Sequence, residues 1–368
     1  MKYVQINSVP HGSTGGIMCK LHRELLAAGE DSYICWGRGR DPQDSTEFKF
    51  ATQAGWIADA AISVIGGKAG FHSKAATKRL LAKLDEIDPD VVHLHNIHGF
   101  YLNIEMLFEW LMSHRCHVNW TLHDCWAFTG HCSYFTAVGC EQWKTECVDC
   151  CQAWTYPHTF SKASCKWNYE QKKRIFTQLP SERVTLITPS QWLADLTRES
   201  YLAKYPVEVR HNTIDATVFK PTESDFKRRH GLQDKFIVLG VAAQWAARKG
   251  LDDFIQLATE LDDRFAVVLV GLSKKQIGQL QGKPRIVACG KTSSAQELAG
   301  IYTAADVFFN PTYEDNYPTT NLEAQACGTP VITYDTGGCA ETVNLDQSVV
   351  VPTGDLAAAM RAIDGLIR

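Results

Sequence analysis

The chain has 368 residues, 45% of them hydrophobic and 21% charged, with a formal net charge of −4. That composition excludes intrinsic disorder, and without a basic excess no nucleic-acid partner is expected. The length exceeds one ordinary core and suits two domains. The start, MKYVQINSVPHG, enters an alternating apolar strand without a signal-peptide pattern, and no apolar run approaches ~20 residues. A cytoplasmic protein is therefore expected, able to sit peripherally at the inner face of the cell membrane. In that compartment thirteen cysteines read as thiols or metal ligands rather than disulfides, and eight of them fall between Cys116 and Cys165.

Short apolar runs alternate with helical patterns, which is the signature of parallel βα repetition. Strands are predicted at 3–7, 91–95, 119–122, 184–188 and 207–211. A second series follows at 236–241, 265–270, 285–288, 307–310 and 331–333, with helices over 249–261 and 295–303. Two doubly wound α/β domains account for both series, an N-terminal one over 1–214 and a C-terminal one over 215–368.

The motifs lie beyond the carboxyl ends of strands, where open parallel sheets take ligands. Gly12-Ser13-Thr14-Gly15-Gly16 follows the first strand and opens a helix; Gly15 and Gly16 either let the backbone approach a ligand or make the turn. The run 56–67, followed by Lys68, Lys74, Lys78, Arg79 and Lys83, reads as a core helix or as an interfacial helix beside anionic lipid. His93 and His95 share one strand face, with Asn96 and the loop residue His98 beyond. No carboxylate stands at a supporting spacing, so a hydrogen-bonded strand end on the acceptor side is favoured over a metal site. His123, followed by Asp124, offers a neutral donor or acceptor.

Cys132, Cys140, Cys147 and Cys150 form C-x7-C-x6-C-x2-C inside an insert over 125–165. Four thiolates around a structural zinc would staple such a loop; free or redox-reactive thiols are the alternative, and Cys125, Cys151 and Cys165 leave the ligand choice open. Arg248-Lys249-Gly250, at the mouth of a strand, can neutralise a leaving diphosphate. Asp315 and Glu323 stand eight residues apart across a turn that opens a helix. A carboxylate before such a turn can meet a polyol, and the helix N-terminus can hold a phosphate. Sugar and diphosphate are the two halves of a nucleotide-sugar.

The string YEDNYPTTNLEAQACGTPVIT, residues 313–333, resembles the donor-site motif of family 4 glycosyltransferases of the GT-B fold, with Asp315 where the family usually has Glu. TLHDCWAFTGHC, CEQWK and CVDC resemble the cysteine-bearing insert of colanic-acid and capsule-type members. The resemblance covers nearly the whole chain, weakly across 36–90. It implies two Rossmann-like domains facing across a cleft, a nucleoside-diphosphate sugar as donor, and no catalytic divalent metal. The implied reaction is hexosyl transfer, with retention, to a hydroxyl of a lipid-linked surface-polysaccharide acceptor.

By the same resemblance His123 and Asp315 contact the donor sugar, Lys249 the diphosphate, the Asn321 and Leu322 backbone the phosphate, and Glu323 the ribose. Gly15 and Gly16 lie near the acceptor and donor phosphates, and Gly290 near the base. One departure is Gln244 where the family has Arg, a charge that Arg248 would replace. The family's final crossover helix, returning to the first domain, is expected to be missing after GDLAAAMRAIDGLIR. A nucleotide-sugar epimerase and a non-catalytic nucleotide-sugar-binding relative would share these features; product analysis without acceptor, and donor binding without turnover, separate them.

Overall fold

The computed structural model describes residues 1–367. It divides into two compact units, one over Met1–His211 and the other from Asn212 onward.

The first unit is built on β1 (Lys2–Asn7), β2 (Asp31–Trp36), β3 (Glu47–Lys49), β4 (Val91–Leu94), β5 (His117–Thr121), β6 (Val184–Thr188) and β7 (Val207–Val209), in the order β3-β2-β1-β4-β5-β6-β7. Every pairing is parallel. The crossovers that parallel strands require contain α1 (Gly12–Ala27), α2 (Gln53–Gly66), α3 (Lys74–Ile87), α4 (Ile104–Ser113), α5 (Ser164–Phe176) and α6 (Gln191–Glu199). β1 is buried on both faces, with Val4 and Ile6 on one and Gln5 and Asn7 on the other, all at 0% exposure. The strands β2 and β3 carry no alternation that periodicity could register. DSYICW opens on two polar residues and EFK has three residues in all, so their strand character comes from pairing with neighbours.

The helix α2 has inverted polarity. Asp59 and Ser63 are 2% and 1% exposed, with the Ser63 and Ser73 hydroxyls donating to the Asp59 carboxylate. Ile57, Ile62 and Ile65 are 51%, 51% and 72% exposed. An ordinary core helix would show the opposite arrangement.

The second unit holds β8 (Phe236–Val241), β9 (Phe265–Val270), β10 (Ile286–Ala288), β11 (Val307–Asn310), β12 (Val331–Tyr334) and β13 (Val349–Val351) in the parallel order β10-β9-β8-β11-β12-β13. Its helices are α7 (Phe226–Arg229), α8 (Leu251–Glu260), α9 (Lys274–Leu280), α10 (Ala295–Ala304), α11 (Thr319–Ala326) and α12 (Leu356–Asp364). Side chains alternate off β8 into two cores. Ile237 and Leu239 pack with Tyr302, Phe308 and Val331, whereas Val238 packs with Phe254, Phe309 and Tyr334. Among the described residues no helix is long and apolar enough to cross a membrane.

Candidate active site

In the second unit the strand order reverses at β8, with β9 and β10 on one side and β11 to β13 on the other. The loops leaving β8 and β11 therefore bound the crevice where an open parallel sheet takes ligands. The β8 loop makes one 3-10 turn, Ala247–Lys249, and ends at Gly250 with a left-handed φ of 67°. A Cβ there would stand 2.2 Å from the Pro311 carbonyl oxygen, so glycine lets this loop close against the one after β11. The closure is then tied. Arg248 Nη1 donates to the Glu314 carbonyl at 2.7 Å, the Tyr313 N–H donates to the Arg248 carbonyl at 2.8 Å, and the Lys249 ammonium pairs with the Asp315 carboxylate. Burial would raise the Asp315 carboxyl pKa, but Lys249 and Arg248 beside it hold it below the usual carboxylate value.

The helix α11 follows directly, capped by Pro318. Asn321 is fully buried: its Oδ1 accepts from Asn310 Nδ2 at 2.8 Å, its Nδ2 donates to Thr342 Oγ1 at 2.8 Å, and its N–H donates to the Pro318 carbonyl at 3.2 Å. Asn321 is thus a brace of the helix start, with Leu322 next to it. The N–H groups ahead of them, those of Thr319 and Thr320, stand at the open end of the helix. One turn further on, Glu323 accepts from the Tyr302 hydroxyl at 3.1 Å, and burial raises its carboxyl pKa against the lowering effect of the Tyr302 and Thr319 hydroxyls. Beyond β8, β9 and β10 lies a cavity of about 350 Å³ lined by Gln244, Trp245, Ser273, Gln276 and Lys291. Gly290 borders it in sequence, its carbonyl accepting from the Gly271 N–H at 3.1 Å.

In the first unit the strand order reverses between β1 and β4, and three imidazoles gather there. His93 and His95 stack at 4.4 Å, His95 and His123 at 5.4 Å, and the last two share a hydrogen bond of 3.1 Å between Nδ1 and Nε2. His95 Nε2 meets Gln5 Oε1 at 3.3 Å and His93 Nε2 meets Thr121 Oγ1 at 2.8 Å. This is a hydrogen-bonded cluster at strand ends. The cavity beside it, lined also by Asn96, His98 and Asp124, measures about 10 Å³, room for about one water. Gly15 lies inside α1, where a Cβ would stand 2.6 Å from the Val9 carbonyl oxygen, so its absence of a side chain serves packing; Gly16, one residue on, faces open space.

Comparison with known proteins separates fold from chemistry. Residues 222–368 match the Glycosyl transferases group 1 family. The putative colanic acid biosynthesis glycosyl transferase WcaC of Escherichia coli (strain K12) is 24% identical over 358 residues, 93% of this chain and 85% of the relative. The chain is a GT-B glycosyltransferase. Among solved structures, sucrose-phosphate synthase from Thermosynechococcus elongatus superposes with a TM-score of 0.72 at 16% identity, covering 100% of this chain and 90% of that one. Anabaena HepE in complex with UDP-glucose superposes with a TM-score of 0.66 at 14% identity over the same shares, 100% and 90%.

The cysteine insert of this glycosyltransferase does not support the expected zinc site. Cys132, Cys140, Cys147 and Cys150 do converge on one small cavity, with Cys151 and His131 among its other walls. Their sulfurs, however, are engaged separately: Cys132 hydrogen-bonds Cys150, Cys140 hydrogen-bonds Cys151, and Cys147 accepts from the Gly130 N–H at 3.2 Å. Among the described residues no group of three or more His, Cys, Asp or Glu side chains is disposed to hold a metal ion. Under the insert Lys172 is 1% exposed, donates to the Trp126 carbonyl at 2.6 Å and lies 3.8 Å from the Trp126 ring centroid. Burial lowers its pKa to about 7. Neither the thiol pairing nor this buried lysine had a signal in the sequence, because both depend on segments brought together by the fold.

The imidazole cluster gives the glycosyltransferase a defined acid limit. Burial lowers His93 to about 3 and His123 to about 4, and lowers His95 as well. In the unfolded chain each titrates near ~6.5, so between that pH and the folded values the unfolded state binds more protons. Stability is then complete above about pH 6.5 and falls on acidification by ~1.4 kcal/mol per pH unit per imidazole. Thermal unfolding measured from pH 7 to 4.5 is expected to show a falling Tm with a shallower slope in His93→Gln. An equal slope in the variant would remove the cluster as the cause.

Proposed function

We propose that the protein transfers a hexosyl group from a nucleoside-diphosphate sugar to a hydroxyl of a lipid-linked surface-polysaccharide acceptor, with retention at the anomeric carbon. The observation that carries this reading is the Lys249–Asp315 ion pair at the open end of α11, with Glu323 one turn into that helix. Asp315 would accept from sugar hydroxyls, Lys249 and the Thr319 and Thr320 N–H groups would hold the diphosphate, and Glu323 would accept from the ribose. Arg248 would supply the charge that Gln244 lacks, and Lys291 and Gly290 would border the base. HepE, solved with UDP-glucose, supports a nucleotide-sugar donor, and WcaC, named for colanic acid biosynthesis, supports a polysaccharide acceptor.

The acceptor hydroxyl would attack C1 from the face the leaving group departs. The acceptor O–C1 bond forms as the C1–O–P bond breaks, and the acceptor proton passes to the departing phosphate oxygen. Lys249 and the helix terminus stabilise that oxygen's charge as it develops.

The test is a thermal-shift titration with UDP, GDP, ADP, dTDP and CDP. One nucleotide is expected to raise Tm, since a ligand held only by the folded state at ~100 times its Kd adds about 2.7 kcal/mol. No shift with any of them would overturn the donor assignment.

Peripheral membrane contact belongs to the same reading and is supported by the inverted α2. Phe160 donates its N–H to the Val64 carbonyl at 2.8 Å, which seats the exposed Trp154 and Phe160 (60% and 62%) beside Ile62 and Ile65. Lys68 and Lys162 flank this apolar surface, which suits an anionic bilayer. The double variant Ile62→Glu/Ile65→Glu is expected to lower co-sedimentation with phosphatidylglycerol vesicles about tenfold. Because both side chains are already in solvent, its Tm should not change. Undiminished vesicle binding would count against membrane contact through this face.

A further inference from the structure

The largest cavity described in the first unit is not at the imidazole cluster. It measures about 530 Å³ and lies beyond the carboxyl ends of β1, β2 and β3, with His11, Arg38, Lys49, Gln53 and Trp56 in its walls. That volume is in the range of small-molecule sites, ~300–1,000 Å³. Two cationic side chains and an imidazole line it, and among the described residues no carboxylate does.

Lys49 is occupied: its ammonium donates to Asp41 and to the Gly39 carbonyl, each at 2.9 Å. Arg38 differs. Its guanidinium carbon stands 5.0 Å from the Trp56 ring centroid, its backbone N–H donates to the Ser8 carbonyl at 3.0 Å, and its Nε has no hydrogen-bond partner. Among the described residues no side chain pairs with the guanidinium as a salt bridge. The neighbouring Arg40 shows the contrast, held by both oxygens of Glu47. A half-buried guanidinium stacked on an indole has lost much of its rotamer freedom while its Nε–H remains to be satisfied, which suits Arg to take an anion.

We infer that this cavity is the subsite for a phosphate group of the acceptor, with Arg38 as the anion-binding residue, Lys49 as a supporting charge, His11 as a further polar wall, and Trp56 as the platform that positions Arg38. A phosphate fits better than a carboxylate, because it carries close to two charges at neutral pH and three acceptor oxygens for several basic groups. Trp56 lies in the first turn of α2, and Ile57 opens the exposed apolar face of that helix, so an anion in the cavity sits where a lipid chain could run on. The inference rests on the glycosyltransferase reading and specifies the chemistry of its acceptor.

Calorimetric titration of the full chain tests it, with the nucleoside diphosphate that raises Tm present at saturation so that the donor site cannot take the probes. The probes are glucose 1-phosphate, farnesyl diphosphate, inorganic phosphate and methyl glucoside; the proteins are wild type, Arg38→Gln and Arg38→Lys. The phosphate-bearing probes are expected to bind and methyl glucoside not. Arg38→Gln should weaken the phosphate probes about tenfold or more, and Arg38→Lys less, since it keeps the charge and loses the fork. Farnesyl diphosphate binding tighter than glucose 1-phosphate would identify a lipid-linked acceptor, and the reverse order a soluble sugar phosphate. Phosphate binding unchanged in Arg38→Gln, or methyl glucoside binding as tightly as glucose 1-phosphate, would overturn the subsite. Affinity for that nucleotide, read in the same preparations, should be equal in all three proteins. Failure of all five nucleoside diphosphates to bind wild type would instead remove the donor reading on which the subsite depends.

Discussion

Lys249→Ala is expected to lower kcat by about two to three orders of magnitude, the usual cost of removing one fixed group that meets charge developing in a transition state. The side chain has two partners to lose. In the free protein it is paired with Asp315, and during transfer it would face the departing diphosphate. The variant therefore also leaves a poorly exposed carboxylate, 15% accessible, without its ammonium, and the Asp315 carboxyl pKa should rise because burial then acts with less opposition. A lower Tm is expected for that reason. The double variant Lys249→Met/Asp315→Asn separates the two effects: removing both charges should recover most of the lost Tm while turnover stays low. A kcat in Lys249→Ala within tenfold of wild type would dismiss Lys249 from the chemistry.

Glu323→Gln should act on binding. A carboxylate that accepts two ribose hydroxyls makes charge-assisted hydrogen bonds, and its neutral isostere makes weaker ones. The dissociation constant of the matching nucleoside diphosphate should therefore rise ~10- to 100-fold, with a parallel rise in KM for the sugar donor. Glu323→Ala should be worse, because it also strands the buried Tyr302 hydroxyl that now donates to the carboxylate at 3.1 Å. Burial raises the Glu323 pKa, and only the ionised form accepts from both hydroxyls, so nucleotide affinity should weaken as the pH falls through that raised value. The calorimetric Kd of Glu323→Gln decides the matter, and a value equal to wild type would take the ribose away from this residue.

These two residues were legible in the sequence to different degrees. Glu323 belongs to a compact string in which Pro318 precedes the helix, Gly328 follows it and apolar β12 comes next, so spacing alone sets it one turn into α11. The strands β8 and β9 were equally plain, since each is an apolar run buried on both faces. That Lys249 and Asp315 form one pair was not legible. They are 66 residues apart, and the loops meet because Gly250 fits against Pro311. Asn321 adds a part that spacing did not carry: the resemblance assigns its backbone to the phosphate, and the fold adds that its side-chain amide is held by Asn310 and Thr342.

By itself the sequence determined the parallel α/β repetition, the doubling into two units and the helix that opens after Asp315. Those features follow from hydrophobic period, turn chemistry and helix-end rules, each acting within about 20 residues. Only the tertiary structure decided that α2 turns its isoleucines outward, that Cys132 meets Cys150 and Cys140 meets Cys151, and that Arg38 stands over Trp56 at an open cavity. Each of these depends on which distant segment covers a side chain and which partner reaches it, and burial and partnership of that kind have no period along the chain.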